Sequence, residues 1–258
     1  MAICPLCAED VNLLHKRSHL LPEWMYKDYY DDKHKLINVD LDKETVNKRQ
    51  SGDYEHGIIC PDCEEESQVY DHYASLILTD RSPMSQEHQF IDRQEHEKFE
   101  RGRVHRYQRW RNIDFHVFQK FVYACVLRTH LAEKKRAGSL LAPRHFENIR
   151  SLYKDPASID DSLYPIIAFK FPDDDPYKDL VVLPFDFKIS GHHVIEFSGA
   201  GYSFWVFASS HRKPGFVDFL ALKRDGSMNI MLQYSKERGS FRKMAPIVGR
   251  LARQSPHI

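Results

Sequence analysis

Two Cys-x-x-Cys pairs constrain this chain more than any other feature: Cys4 and Cys7 in CPLC, and Cys60 and Cys63 in CPDC. A two-residue gap lets both sulfurs of a tight turn reach one ion. Four thiolates complete the tetrahedral shell that zinc prefers, with Zn–S distances of about 2.3 Å. The N-terminus MAICPLCAED has neither a basic flank nor an apolar run, so no signal peptide is expected and the setting is read as cytoplasmic. There, two knuckles fit a structural metal better than a disulfide or redox pair; an iron–sulfur cluster would also take four thiolates. Cys125 lies in an apolar helical run and reads as a core residue.

The 52 residues between Cys7 and Cys60 are long for a simple finger, so an insertion is expected. Residues 28–56 are polar and charged, with a short apolar patch at Leu36 to Leu41, and read as an excursion from a small core. Such a core buries little apolar surface, so zinc would supply folding energy outright. Between the knuckles lies KRSHLLPEWMYK, in which Trp24 and Met25 suit packing against the domain.

The order CPLC, then SHLLP, then GIICPDC with a polar helix after it resembles HNH-type (His-Me finger) nucleases built on a treble-clef zinc finger. The resemblance covers roughly residues 1–80. It implies a structural Zn2+ on Cys4, Cys7, Cys60 and Cys63, and His19 as general base, matching the histidine of the family's DH-x-x-P segment. It also implies a catalytic Mg2+ or Mn2+ at Ser18 and Glu64, where the family usually has aspartate and histidine. Glu55 stands where an asparagine is usual. A neutral imidazole, with an unperturbed pKa of about 6.5, can take a proton from water attacking a phosphodiester. Glu64 remains an oxygen ligand suited to a hard cation. The run Glu64 to Glu66 also suits a solvated helix N-terminus.

The 37 basic and 37 acidic side chains cancel overall but not locally. Residues 1–80 carry 8 Lys/Arg against 17 Asp/Glu, residues 81–154 carry 16 against 8, residues 155–211 carry 3 against 9, and residues 212–258 carry 10 against 3. Two basic surfaces for a polyanion therefore remain, as does internal pairing between blocks. In the second block Arg101, Arg103, Arg106, Arg109 and Arg111 surround Trp110, which suits phosphate contact and base stacking on DNA or RNA.

Helices are expected at 64–78, 112–136 and 143–153. From residue 163 the period turns to strands: LYPIIAFKF, DLVVLPFDFKI, HHVIEFSG, YSFWVFAS, FVDFLALK and MNIMLQYS. GHH and GAG suit tight hairpins. The expected fold is α+β: an N-terminal treble-clef ββα zinc unit (1–80, with 28–56 inserted), a central helical region with the basic patch (81–154), and a β-rich, mainly antiparallel sheet (155–235). A basic segment, 236–258, closes the chain.

No apolar stretch is long enough for a membrane span, and no P-loop, dinucleotide fingerprint or nucleophile elbow is present. Two function classes follow. One is a metal-dependent endonuclease hydrolysing phosphodiester bonds, of the kind the resemblance links to phage-related or defence systems. The other is a catalytically inactive, zinc-stabilised module that binds nucleic acid or a protein partner.

Overall fold

The computed structural model describes residues 1–40, 45–79, 91–100, 102–136, 138–155 and 161–237, with the single positions 246 and 250. Arg101 and nearly all of 236–258 lie outside these residues. The chain is α+β, with four α-helices among the described residues and a seven-stranded, mostly antiparallel sheet towards its C-terminal side. No described helix is long and apolar enough to cross a membrane.

The N-terminal unit begins with a small hairpin, β1 (Ala2–Ile3) and β2 (Asp10–Val11), whose turn carries Cys4 and Cys7. Next, β3 (Ser18–His19) pairs antiparallel with β6 (Tyr54–Glu55), setting Ser18 opposite Glu55 and His19 opposite Tyr54. The ladder ties the end of the expected insertion back to the segment that precedes it. Within it, β4 (Leu36–Asp40) and β5 (Thr45–Arg49) form a hairpin of their own. Helix α1 (Pro61–Leu78) starts directly on the second cysteine pair, with Pro61 in its first turn, where a missing N–H costs nothing.

Helix α2 (Phe115–Lys135) forms the spine. Asp114 caps it by accepting the Val117 N–H at 3.1 Å, and Lys134 and Lys135 meet the negative end of its dipole. Its apolar residues point in several directions because α2 is covered on several sides. It packs on α1, on α3 (Pro143–Lys154) and on one face of the sheet. Phe121 is fully buried and meets the rings of Trp24, Phe118, Phe197 and Phe204. Trp24 and Met25 thus pack inward. Phe121→Ala should cost about 3–5 kcal/mol, read as a lower urea midpoint at unchanged slope.

His130, also on α2, accepts the Leu141 N–H at Nδ1 (3.1 Å) and is buried against Phe146. Burial, and to a lesser degree Lys134, lower its pKa below 6.5. As pH falls below the ordinary histidine value, the unfolded chain takes up this proton before the folded one. Stability present above that value is therefore lost with acidification. Denaturation at about pH 7.5 and about pH 5.5 should show this loss, and it should shrink in His130→Leu.

The sheet comprises β7 (Asp92–Glu100), β8 (Arg103–Arg111), β9 (Ile166–Lys170), β10 (Val182–Ile189), β11 (His192–Gly199), β12 (Tyr202–Phe207) and β13 (Met228–Leu232), in the order β10-β11-β12-β9-β13-β8-β7. Only the β13–β9 pairing is parallel. Ser190-Gly191 and Ala200-Gly201 have positive φ at both positions, the conformation that two-residue hairpin turns require.

Two expectations need correction. The segment 92–111 is not helical; it is the hairpin β7–β8, and β8 pairs with β13, so the central and C-terminal regions share one sheet. FVDFLALK is not a strand. Residues Gly215–Leu220 form α4, which follows Pro214 and buries Val217 and Leu220, three apart, against the second sheet face. That lid explains why β12 is buried at every position. Tyr202, Phe204 and Val206 join the core around α2, while Trp205 and Phe207 join the cluster under α4.

Candidate metal centre and the histidine beside it

The four cysteines converge. Their sulfurs all lie within 4.8 Å of one another, with Cys4–Cys63 at 4.0 Å and Cys7–Cys60 at 3.9 Å, and none forms a disulfide. A zinc–sulfur tetrahedron with bonds of about 2.3 Å has edges of about 3.8 Å, so the two short pairs match it and the whole donor set is compatible with zinc. The hairpin turn supplies one pair and the first turn of α1 the other. The Cys60 N–H donates to Cys4 Sγ at 3.3 Å. The contact between Cys4 and Cys63 draws the Cys4 thiol down and pushes the Cys63 thiol up, as expected when two sulfurs share one proton. Lys154 sets its ammonium 4.0 Å from Cys63 Sγ and 2.9 Å from Glu66, placing positive charge where four thiolates and one divalent ion leave a net negative one. Cys125 stays apart. It is fully buried in α2, and desolvation pushes its thiol up to about 12.

His19 sits on β3, half-buried, with Nε2 3.1 Å from Glu23 Oε2. The two atoms are at ion-pair distance but lack hydrogen-bond alignment. Burial lowers the His19 pKa, with Glu23 and Glu64 pulling it back up and Arg17 and Arg128 adding to the fall. The ring is thereby favoured as the neutral base. Glu23 lies in a single 3-10 turn, Glu23–Met25, just after Pro22, and its other oxygen accepts from the Tyr30 hydroxyl.

Of the glutamates opening α1, Glu65 is exposed, Glu66 pairs with Lys154 and Lys120, and Glu64 is buried. Glu64 Oε2 has no hydrogen-bond partner, and neither does the fully buried Ser18 Oγ. A buried carboxylate oxygen without a partner is costly, and a hard cation is one group that would satisfy it. Behind Glu64, Arg128 of α2 holds Asp71 through two hydrogen bonds of 3.0 and 3.3 Å and reaches Ser67 at 3.4 Å. Asp71 is therefore committed to Arg128, and His72 is exposed. Glu55, at the family's asparagine position, is held by Lys135 and Arg136.

No protein-family model, curated protein or solved structure matches this chain. The case for a site rests on its own residues. Among the described residues, the four cysteines are the one group of three or more His, Cys, Asp or Glu side chains with donor atoms close enough to share an ion. His19, Glu23 and Glu64 do not form a second such group.

The basic strand behaves differently from its expected role. Alternation on β8 sends Arg103, Tyr107, Arg109 and Arg111 to one face and Arg106 and Trp110 to the other. Trp110 is 0% exposed, packed edge-on to Tyr202 beneath the Arg93 guanidinium, so it offers no ring face to a base. Arg106 pairs with Glu97 and Arg109 donates to Asn229, while Arg103 and Arg111 are exposed. Arg101 lies outside the described residues.

Sequence reasoning missed two participants, Glu23 and Arg128. A charged residue inside the apolar run of α2 was the available signal for the second.

Proposed function

We propose that the N-terminal unit is an HNH-like treble clef and that the protein is a metal-dependent endonuclease hydrolysing phosphodiester bonds in nucleic acid. One observation carries this reading. A ladder just ahead of the cysteine-anchored helix α1 holds a half-buried histidine 3.1 Å from Glu23, in the same unit as Glu64, whose buried carboxylate oxygen lacks a partner. In this reading His19 is the general base. Nε2 faces Glu23, so Nδ1 takes the proton from the attacking water, and the Glu23 carboxylate steadies the imidazolium that forms. Glu64, with Ser18 as a weaker neutral donor, would hold Mg2+ or Mn2+, ions that need only one or two protein carboxylates when substrate phosphate and water complete the shell. Such an ion supplies charge neutralisation on the phosphoryl and leaving oxygens. The cysteine-bound zinc has a structural part only. A role in phage-related or defence processes belongs to the same reading.

A second reading is a zinc-stabilised binding module without catalysis. It is favoured by the missing second cluster of metal-ligating side chains among the described residues. Cleavage of DNA and RNA with magnesium, manganese or nickel, by the wild type and by His19→Ala, separates the two.

A further inference from the structure

The insertion does more than loop out of the zinc unit. Between it and the β3–β6 ladder lies an open cleft of about 950 Å3, whose lining includes Arg17, Lys33, Arg49, Tyr54, Glu55 and His56. Its cations come from three separate stretches: Arg17 just before β3, Lys33 in the turn ahead of β4, and Arg49 at the end of β5. Glu55 is the carboxylate in this wall. Lys135 at 3.3 Å and Arg136 at 2.9 Å, both from the end of α2, answer its charge from behind. Arg49 pairs with Asp53 yet keeps 45% of its side chain exposed, and a guanidinium has five donors to offer. The cleft therefore carries a positive excess inside a domain whose sequence is acidic overall.

Ring surfaces accompany the charge. The Arg17 guanidinium lies 4.2 Å from the centroid of Tyr54, which is 37% exposed and edge-on to His56 at 5.3 Å. Tyr54 is also the ladder partner of His19, with ring centroids 6.2 Å apart. One wall of the cleft thus ends at the histidine.

We infer that this cleft binds single-stranded nucleic acid, with Arg17, Lys33 and Arg49 contacting phosphates, and with His56 and the face of Tyr54 not covered by Arg17 meeting unpaired bases. Cations tracking a backbone beside exposed rings are the recurrent means of holding a single strand, whereas a duplex keeps its base faces covered. The orientation rests on the reading of His19 as the reacting group: a strand along the cleft passes beside that imidazole. The basic strand β8 is a separate surface.

The test uses fluorescence anisotropy of labelled DNA and RNA strands of about twelve nucleotides. The full-length, zinc-loaded His19→Ala protein serves as background, so that cleavage cannot mimic release. Three phosphate contacts predict a log–log salt slope of about −2. Lys33→Glu, in an exposed turn where folding is not at stake, should weaken binding and flatten the slope by about 0.7 or more. Combining Arg17→Ala, Lys33→Ala and Arg49→Ala should lose at least about ten-fold in affinity at low salt. Unchanged affinity and slope in both variants overturns the proposal, as does tighter binding of the matching duplex than of either strand. Failure is separable from that of the nuclease reading. A wild type that binds through these residues but never cuts overturns only the nuclease reading; one that cuts while all variants bind equally overturns only the cleft.

Discussion

Cys60→Ser should leave well under one zinc per chain, against about one expected on the four cysteines of the wild type. The N-terminal unit should then loosen. Structural zinc in small domains contributes about 10–16 kcal/mol of apparent binding free energy, which no contact within β1, β2, β3 and β6 can replace. The damage should be bounded, because Leu20, Leu21, Ile58 and Ile59 of the unit, contrary to the small separate core expected from the sequence, share the core around α2 with Ala74, Ile77 and Leu78 of α1. Hydrogen exchange should therefore show protection lost most in the cysteine-bearing turn of β1–β2 and the first turn of α1 and retained in β9 to β13. A chelator should reproduce the pattern in the wild type. Full protection of both turns in a metal-free Cys60→Ser protein would show that the cysteine cluster has no structural work to perform.

The second large effect is on chemistry. His19→Ala should reduce divalent-ion-dependent cleavage by about 10²–10⁴-fold, the usual contribution of a positioned general base. Zinc content should be unchanged, because the cysteines lie outside the β3–β6 ladder. Substrate affinity should also hold, which assigns the loss to kcat. If purified wild type cuts neither DNA nor RNA with magnesium, manganese or nickel, the reading as a nuclease fails and the binding-module reading takes its place. Equal cutting by the two proteins removes His19 from the mechanism.

What could be read from the chain divides by range. The cysteine knuckles and helices α1, α2 and α3 were legible because their signals repeat within a few residues. Hairpin β7–β8 was not: it bears charged residues on both faces, so no apolar alternation marks it, and Trp110 reveals its buried side only through pairing with β13, more than a hundred residues away. At α4, Val217, Phe219 and Ala221 recur every second position and so mimic strand alternation over a short stretch. Arg128 stood out as a charge inside an apolar run, but its partner could not be read because Asp71 lies 57 positions earlier. The cleft escaped for the same reason, since Arg17 and Tyr54 become neighbours only once the ladder forms.

That ladder also bears on how the chain reaches its native state. A metal bridging Cys4 and Cys63 closes a loop of 59 residues, a constraint equivalent to about 4 kcal/mol of chain entropy in the denatured ensemble. Two two-residue strands could not hold such a loop shut by themselves. A metal held by the four cysteines would act as the tether that makes pairing of Ser18 with Glu55 an intramolecular encounter at high effective concentration. Once tethered, the length of the intervening segment matters little, because closure entropy grows only logarithmically with loop size. The connection between β4 and β5 can thus change length at modest entropic cost without opening the ladder that holds His19, whereas Leu36, Tyr54 and Glu55 are fixed by the core and the ladder.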